Sequence, residues 1–194
     1  NHVELAWNTD NEDKSFSNRN YLNKDGLGHL LGHVSTPKLD QSGRFWQTES
    51  IGKDGVEKFY NEILGGKNGV KLVETDVRNN VKSESYISPP EQGQSIILTI
   101  DSLVEEKLYQ SISSLAGSVG FSGGAGIIMD IKSGEILAMA SFPEYRSEVL
   151  VKGDDAKTIN AYLRDKRTPF LNRAVSGLYT PGSTVKPFFA IGAL

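Results

Sequence analysis

Two side chains near the end of this 194-residue chain have the types and the spacing of a nucleophile and its base. Lys186 follows Ser183 by three residues, and at that spacing on a helix two Cβ atoms lie about 5–6 Å apart. Pro181 and Gly182 break any preceding element, and residues 188–194 form an apolar run typical of a buried helix. We therefore expect Ser183 near a helix N-terminus, where free N–H groups favour developing negative charge.

A lysine side chain must be desolvated, so that it is neutral, before it can accept the proton of a serine. Its ordinary pKa is near 10.4, and a base that works at neutral pH needs a pKa of about 7–8. The shift costs roughly 3–5 kcal/mol, because each pKa unit is worth about 1.4 kcal/mol. The apolar run after Lys186 is a source of such burial. By spacing alone, an ordinary helix start with a solvated lysine fits the pair equally well.

The Ser-x-x-Lys pattern occurs twice more in the chain, and neither copy predicts chemistry. Residues 35–38 contain Pro37, which pushes the preceding residue out of the helical region, so the two side chains do not share a helical face. Residues 50–53 contain Gly52 in a turn-like stretch. We interpret both copies as surface loops.

The pair near the end of the chain lies in a longer segment, Asn172-Arg173-Ala174 followed by Tyr179-Thr180-Pro181-Gly182-Ser183-Thr184-Val185-Lys186-Pro187. This segment resembles the active-site segment of the penicillin-binding proteins. Residues 124–130 and 133–143 resemble the first core hairpin of that family. Residues 51–60 and 64–69 resemble the pedestal domain of its class B members. The order and spacing are most similar to the elongation-type penicillin-binding protein 2, and the resemblance covers most of the chain from about Gly26 onward.

The resemblance implies an α+β fold with two domains. Residues 1–90 would form a pedestal, or dimerisation-like, domain that is incomplete at its N-terminal end. Residues 91–194 would form the N-terminal part of a serine β-lactamase-like transpeptidase domain. The clearest linker lies at this boundary, in residues 88–93, which contain two prolines and a glycine. Polar residues dominate positions 1 to about 25, which predicts an exposed or edge segment.

The resemblance also implies an activity, that of a peptidoglycan D,D-transpeptidase of cell-wall elongation. Ser183 would attack the D-Ala-D-Ala carbonyl of a stem peptide, Lys186 would be the base, and the N–H of Ser183 would be one oxyanion donor. The amine of a second stem would then take the acyl group. β-Lactams would acylate the same serine as substrate mimics. No metal or organic cofactor is implied.

Two other functions stay open on the sequence. The family's pedestal docks the polymerising glycosyltransferase and rod-shape scaffold proteins, so the chain could act as a non-catalytic interaction module. A serine β-lactamase or β-lactam sensor shares the Ser-x-x-Lys motif but has no pedestal. The family works at the extracytoplasmic, periplasmic face of the membrane, and we expect its N-terminal anchor to lie outside this chain.

Composition excludes several classes of protein. A net charge of −3 gives no electrostatic footprint for a nucleic-acid partner. The absence of cysteine excludes a thiol nucleophile, cysteine-ligated zinc and a disulfide framework. The family completes its site with a Ser-x-Asn motif and a Lys-Thr-Gly strand, and neither occurs in the 194 residues. Because losing one oxyanion donor alone costs on the order of 10²–10³ in rate, we expect these residues by themselves to be inactive.

Patterns in the middle of the chain give local predictions. Residues 95–100 are typical of a strand, and Asp101 is placed to cap a following helix. Glu105 and Glu106 would lie on a solvated face of that helix, where they complement its dipole. Its buried stripe would comprise Leu103, Val104, Leu108, Ile112 and Leu115. Strands 125–131 and 135–141 and a helix over 154–166 complete the prediction.

Two further stretches contain side chains that could do chemistry. His29 and His33 are four residues apart, but the glycines around them favour a structural role over a metal site. After Phe142-Pro143 the family usually continues with Tyr-Asp-Pro-Asn, and residues 144–148 depart from that pattern. The departure leaves the family's loop near the substrate entrance unassigned in this chain, but it does not affect the nucleophile.

Overall fold

The structure is a computed structural model that describes residues 2–10, 16–41, 45–78 and 80–193. Elements up to residue 90 are short, in the order β1 Ala6–Thr9, β2 Asn18–Tyr21, α1 Leu27–Leu31, β3 Val34–Ser35, β4 Lys38–Leu39, β5 Phe45–Gln47, β6 Ile51–Gly52, α2 Gly55–Phe59, α3 Asn61–Leu64, β7 Val70–Thr75 and β8 Val81–Ser88. They are followed by α4 Ser102–Val119, β9 Gly124–Met129, β10 Ile136–Phe142, α5 Ser147–Lys152, α6 Ala156–Arg164, α7 Arg173–Ser176, a 3-10 turn Gly182–Val185 and α8 Lys186–Gly192. The predicted α+β fold is confirmed.

Antiparallel pairs account for the sheets of the described residues. The pairs are β1–β2, β3–β6, β4–β5, β7–β8 and β9–β10. The β9–β10 hairpin was predicted, and its turn is held by Asp130, whose carboxylate accepts hydrogen bonds from the N–H groups of Lys132 and Ser133 at 2.7 and 3.1 Å. The predicted helix over 154–166 is α6. Residues 95–100 do not form the predicted strand, although the Thr99 hydroxyl donates to the Ile136 carbonyl at 2.7 Å.

Helix α4 begins at the predicted cap but buries a narrower face than predicted. Leu108 and Ile112 pack over β9, where Cβ atoms on its glycines would meet them within about 3 Å. Leu103 and Leu115 are exposed, contrary to the predicted stripe. The physical reason is that α4 covers only a two-stranded hairpin, so side chains at the margins of its apolar face extend past the sheet. Among the described helices, none is both long and apolar enough to cross a membrane.

Removing the α4 cap should cost a measurable part of the stability. Oδ1 of Asp101 accepts hydrogen bonds from the N–H groups of Leu103 and Val104 at 2.9 and 3.2 Å. We expect Asp101→Ala to lower the free energy of unfolding by about 1 kcal/mol, measured by urea denaturation. Asp101→Asn is the control, since it keeps an accepting oxygen, and an equal loss in both variants would contradict the capping role.

The buried apolar cluster of the structure draws on both halves of the chain. The first 90 residues supply five of its members, and α5 supplies Val151; the five are Tyr21, Leu27, Leu30, Leu31 and Val34. Met139 of β10 packs against it, together with Leu98 and Ile100. Tyr21 at the end of β2 is buried, while β2 itself is an edge strand that pairs with β1, and residues 11–15 of the predicted edge segment lie outside the described residues. The domain boundary near residue 90 stays a prediction, since the core extends across it.

Candidate active site

Ser183 and Lys186 lie on consecutive elements at the C-terminal end of the described chain. Ser183 is in the 3-10 turn, and Lys186 is the first residue of α8, with its N–H bonded to the Ser183 carbonyl. Gly182 has a φ of 57°, in the left-handed region that glycine enters without strain, and this conformation leads the chain directly into the turn. Ser183 therefore precedes a helix N-terminus, as the sequence predicts.

A threonine holds the turn that carries Ser183. The hydroxyl of Thr184 donates to the carbonyl of Pro181, and the Thr184 N–H donates to the same carbonyl at 3.3 Å. Pro187 occupies the second position of α8, where its missing N–H costs no intrahelical hydrogen bond. The local sequence thus specifies the turn and the helix start without help from distant residues.

Burial is what the pair lacks. Ser183 and Lys186 are both exposed, and among the described residues no hydrogen bond or ion pair engages either side chain. The apolar run predicted to be buried is also exposed, by 74% at Phe188, 71% at Phe189 and 72% at Ile191. The reason is that, within the described part of the chain, α8 packs mainly against the preceding 3-10 turn. The desolvation that a lysine base requires is therefore not supplied by the described residues.

Residues 144–146 lie against α1 and the residues just before it. The N–H groups of Gly26 and Gly28 donate to the two carboxylate oxygens of Glu144 at 2.6 and 2.9 Å. Gly26, at the N-cap position of α1, has no side chain that could accept a hydrogen bond. The carboxylate of Glu144, more than a hundred residues away in the sequence, caps the helix in its place. Glu144 follows the cis peptide bond between Phe142 and Pro143. Two residues after Glu144, the guanidinium of Arg146 donates to the side-chain oxygen of Asn23 at 2.7 Å.

Tyr145 joins this contact to the rest of the first half of the chain. Its side chain is fully buried, and its hydroxyl donates to the Asp54 carboxylate, which also caps α2, at 2.8 Å. The edges of the His29 and His33 rings contact it, with centroids 5.1 and 5.6 Å away, and Phe170 stacks on it at 5.3 Å. The two histidines therefore pack around a tyrosine, in agreement with the structural role that the sequence favours for them.

Burial changes the acid–base properties of several groups at this contact. It raises the pKa of Glu144 to about 7, although the two N–H donors oppose the rise. It also raises the pKa of Glu105. Burial lowers the pKa of His29, which the carbonyls of Pro143 and Pro169 partly oppose. These three groups lie at the junction of the two halves of the chain, as does the buried Tyr145.

Glu105 corrects a second prediction, because it is fully buried where a solvated position was expected. Its carboxylate accepts a hydrogen bond from the N–H of Met139 at 2.6 Å. That N–H lies on the edge of β10 that has no strand partner among the described residues. Glu106, the next residue, does lie toward solvent and pairs with Lys24 at 2.9 Å.

Comparison with known proteins gives the family of the chain. A family model described as the penicillin-binding protein dimerisation domain matches residues 14–98, and one described as the penicillin-binding protein transpeptidase domain matches residues 124–194. The peptidoglycan D,D-transpeptidase MrdA of Escherichia coli (strain K12) is 35% identical over 94% of this chain. The MrdA of Haemophilus influenzae is 32% identical over 94% of it.

Solved structures agree with these matches. Penicillin-binding protein 2 of Helicobacter pylori, in a complex with MreC, superposes with a TM-score of 0.65 at 29% identity, over 91% of this chain and 32% of that one. Penicillin-binding protein 2 of Pseudomonas aeruginosa, in complex with WCK 5153, gives a TM-score of 0.67 at 28% identity, over 98% and 37%. The chain spans 29% of the Escherichia coli relative and 28% of the Haemophilus influenzae relative.

Both stretches of the sequence that resemble a known family are covered by these matches, and the relatives include proteins of the penicillin-binding protein 2 type. The resemblance inferred from the sequence is confirmed. The roles of Ser183 and Lys186 stay predictions, since no comparison assigns them. The chain belongs to the penicillin-binding protein family, with a dimerisation domain followed by transpeptidase-domain sequence.

Proposed function

We propose that this chain is part of a peptidoglycan D,D-transpeptidase of cell-wall elongation. The observation that carries the proposal is the Ser-x-x-Lys pair at the start of α8, inside the residues that match the transpeptidase domain. The named relatives are peptidoglycan D,D-transpeptidases that align over 94% of the chain. A serine β-lactamase or sensor is disfavoured, because the match to the dimerisation domain covers residues 14–98.

The reaction follows from the chemistry of the two side chains. Oγ of Ser183 forms a bond to the carbonyl carbon of the penultimate D-Ala, while Lys186 accepts the hydroxyl proton. The bond from that carbon to the nitrogen of the terminal D-Ala breaks, and the leaving amine takes up a proton. The amine of a second stem peptide then attacks the ester carbonyl carbon, the bond from that carbon to Oγ breaks, and the proton that the amine loses returns to Ser183. The N–H of Ser183, next to the start of α8, would be one donor to the oxyanion.

The exposure of Lys186 sets a condition on this chemistry. A base near neutral pH needs burial or a neighbouring cation, and the described residues place neither around Lys186. Groups outside the described residues must therefore close over α8 before Ser183 can be activated. The exposed Phe188 and Phe189 offer the apolar surface for such a contact.

The first half of the chain is proposed to bind partners of cell-wall synthesis. Strand β7 is exposed at every residue, and the β7–β8 hairpin presents exposed apolar side chains at Val70, Leu72, Val73, Val81 and Ile87. One structural neighbour is a penicillin-binding protein 2 bound to MreC, and another belongs to a peptidoglycan synthase complex that coordinates polymerisation with crosslinking. By analogy, a rod-shape scaffold protein and a polymerising glycosyltransferase are the proposed partners, at the extracytoplasmic face of the membrane.

Penicillin labelling tests the assignment of Ser183. In a protein that carries this chain together with the remaining length of its relatives, we expect intact mass spectrometry to show one added penicillin. Ser183→Ala should abolish the adduct completely, because it removes the attacking oxygen. Lys186→Ala should slow its formation at least a hundredfold, since general-base catalysis contributes about 10²–10⁴.

Two controls make this result decisive. Ser50→Ala lies in another Ser-x-x-Lys pattern and should leave the labelling unchanged. The 194-residue chain by itself, with Lys186 exposed, should stay unlabelled. An adduct that persists in Ser183→Ala would overturn the assignment of the nucleophile. Binding of MreC-like partners should survive Ser183→Ala, which separates the catalytic function from an interaction module.

A further inference from the structure

Arg173 is a buried cation whose guanidinium hydrogen bonds, among the described residues, go to carbonyl and hydroxyl oxygens. Its side chain belongs to the first residue of α7, and the residue is 9% exposed. The guanidinium donates to the carbonyl of Arg167, to the carbonyl and hydroxyl of Thr168 at 3.3 and 3.1 Å, and to the carbonyl of Leu171 at 3.4 Å. A buried charge is costly unless it is well hydrogen-bonded, so these backbone groups compensate it together.

The turn over residues 167–171 is shaped around this guanidinium. Thr168 has a φ of 51°, and it is the non-glycine residue with positive φ among those described. A β-branched residue in that region is a backbone outlier with a conformational cost. Both its carbonyl and its hydroxyl contact Arg173, which holds it in this conformation. Such strain persists only where the surroundings impose it.

Arg173 also fixes α7 to the β9–β10 hairpin. Its N–H donates to the hydroxyl of Ser141, a buried residue of β10, at 2.9 Å. That hydroxyl in turn donates to the Leu171 carbonyl at 3.3 Å. A Cβ on Gly123, just before β9, would lie 2.5 Å from Nε of Arg173, so the guanidinium fills the space that this glycine leaves open. The side chain is thus enclosed by the turn, α7 and the hairpin.

The segment that carries the Ser-x-x-Lys pair begins at this anchor. Arg173 is the last buried residue of the described chain, and Ser183 follows ten residues later. The chain folds back tightly after α7, since a Cβ on Gly177 would lie 2.6 Å from the Arg173 carbonyl oxygen and 2.4 Å from the Tyr179 ring. From residue 178 to residue 193 the chain is otherwise exposed or half-buried. The nine residues between Arg173 and Ser183 therefore join the Ser-x-x-Lys pair to the buried part of the structure.

We propose that Arg173 is a positioning residue for Ser183, whose guanidinium ties the start of the active-site segment to the hairpin of the transpeptidase-domain sequence. This inference rests on the proposed role of Ser183 as the nucleophile. Arg173 does not touch the reacting atoms; it acts through the 167–171 turn and α7. The planar guanidinium is needed because a lysine ammonium is a point charge that cannot reach carbonyls on three residues in one plane.

Distance measurements between paired spin labels test the proposal on this chain directly. The chain has no cysteine, so two introduced cysteines are the only labelling sites. Labels at Gln110→Cys on α4 and Ser183→Cys report the position of the active-site segment. Labels at Gln110→Cys and Lys132→Cys, both on exposed positions, report the position of the hairpin relative to α4. Arg173→Ala should at least double the width of the first distance distribution and leave the second unchanged.

Two further measurements separate positioning from general support of the fold. Free guanidinium ion at low millimolar concentration should narrow the distance distribution between positions 110 and 183 again in Arg173→Ala. Arg173→Lys should give a distribution of intermediate width. The proposal is overturned if the first distribution is the same with and without Arg173, or if both distributions broaden together. Labelling by penicillin plays no part in this readout, so failure of the proposed reaction would leave the distance result intact and recognisable.

Discussion

Replacing Gly28 with alanine should destabilise the chain by about 3 kcal/mol or more, because its backbone touches the segment that crosses from the second half. A Cβ at this position would lie 2.1 Å from the carbonyl oxygen of Tyr145 and 3.0 Å from Oε2 of Glu144. Neither α1 nor the segment that follows β10 can move away without breaking the hydrogen bond from the Gly28 N–H to Glu144. Urea denaturation followed by circular dichroism measures the loss.

Gly117 provides a matched control for this substitution. It lies inside α4, and a Cβ there would meet no atom within 4 Å. Gly117→Ala should therefore stabilise the chain slightly, by up to about 1 kcal/mol, because alanine favours a helix interior. A Gly28→Ala protein as stable as the parent would show that α1 and Tyr145 are not in close contact.

Stability should depend on pH through Glu144 in the direction opposite to that of a salt-bridged carboxylate. Burial raises its pKa in the folded chain from 4.5 to about 7. Below about pH 4.5 the carboxyl of Glu144 is neutral in both the folded and the unfolded state, so folding does not bury a charge. As the pH rises toward 7 the unfolded chain ionises first, so stability is lost across this window. The full shift corresponds to at most about 3 kcal/mol.

The measurement compares the parent with Glu144→Gln in urea titrations between pH 4.5 and 8. Other groups of the junction also titrate, since burial raises the pKa of Glu105 and lowers those of His29 and His33. Acidification lowers the free energy of unfolding through the histidines and raises it through Glu105. Both effects are shared by the parent and Glu144→Gln, so subtracting the two pH curves largely removes them. We expect Glu144→Gln to gain stability relative to the parent as the pH rises from about 4.5 to 7. Parallel curves would contradict the assignment.

Local signals in the sequence predicted the parts of the fold that depend on neighbours in the chain. The cap at Asp101, the β9–β10 hairpin and the turn before α8 are each specified within a few residues, and each is found where expected. The Ser-x-x-Lys pair could be predicted for the same reason. Its proline, glycine and apolar neighbours already define a helix start.

Distant partners explain what the sequence could not predict. Glu105 and Glu144 are glutamates with no local mark of burial, and they are bonded to groups 34 and 118 residues away. Leu103 and Leu115 fit a helical stripe, but how much of that stripe is covered depends on the width of the sheet beneath it. The role of Arg173 was invisible for a similar reason, since its partners belong to a turn with no recognisable pattern.

The contact between Glu144 and α1 has a consequence for how the chain acquires its structure as it is made. Gly28 and Glu144 are separated by 116 residues, so α1 is complete only after most of the chain has been synthesised. At about 5–20 residues per second, the delay between the two is roughly 6–23 s. During this time the apolar residues of α1 have no cover from Met139 or Val151. The first half of the chain is then vulnerable to association with other unfolded chains, and a chaperone that holds it would raise the yield of folded protein.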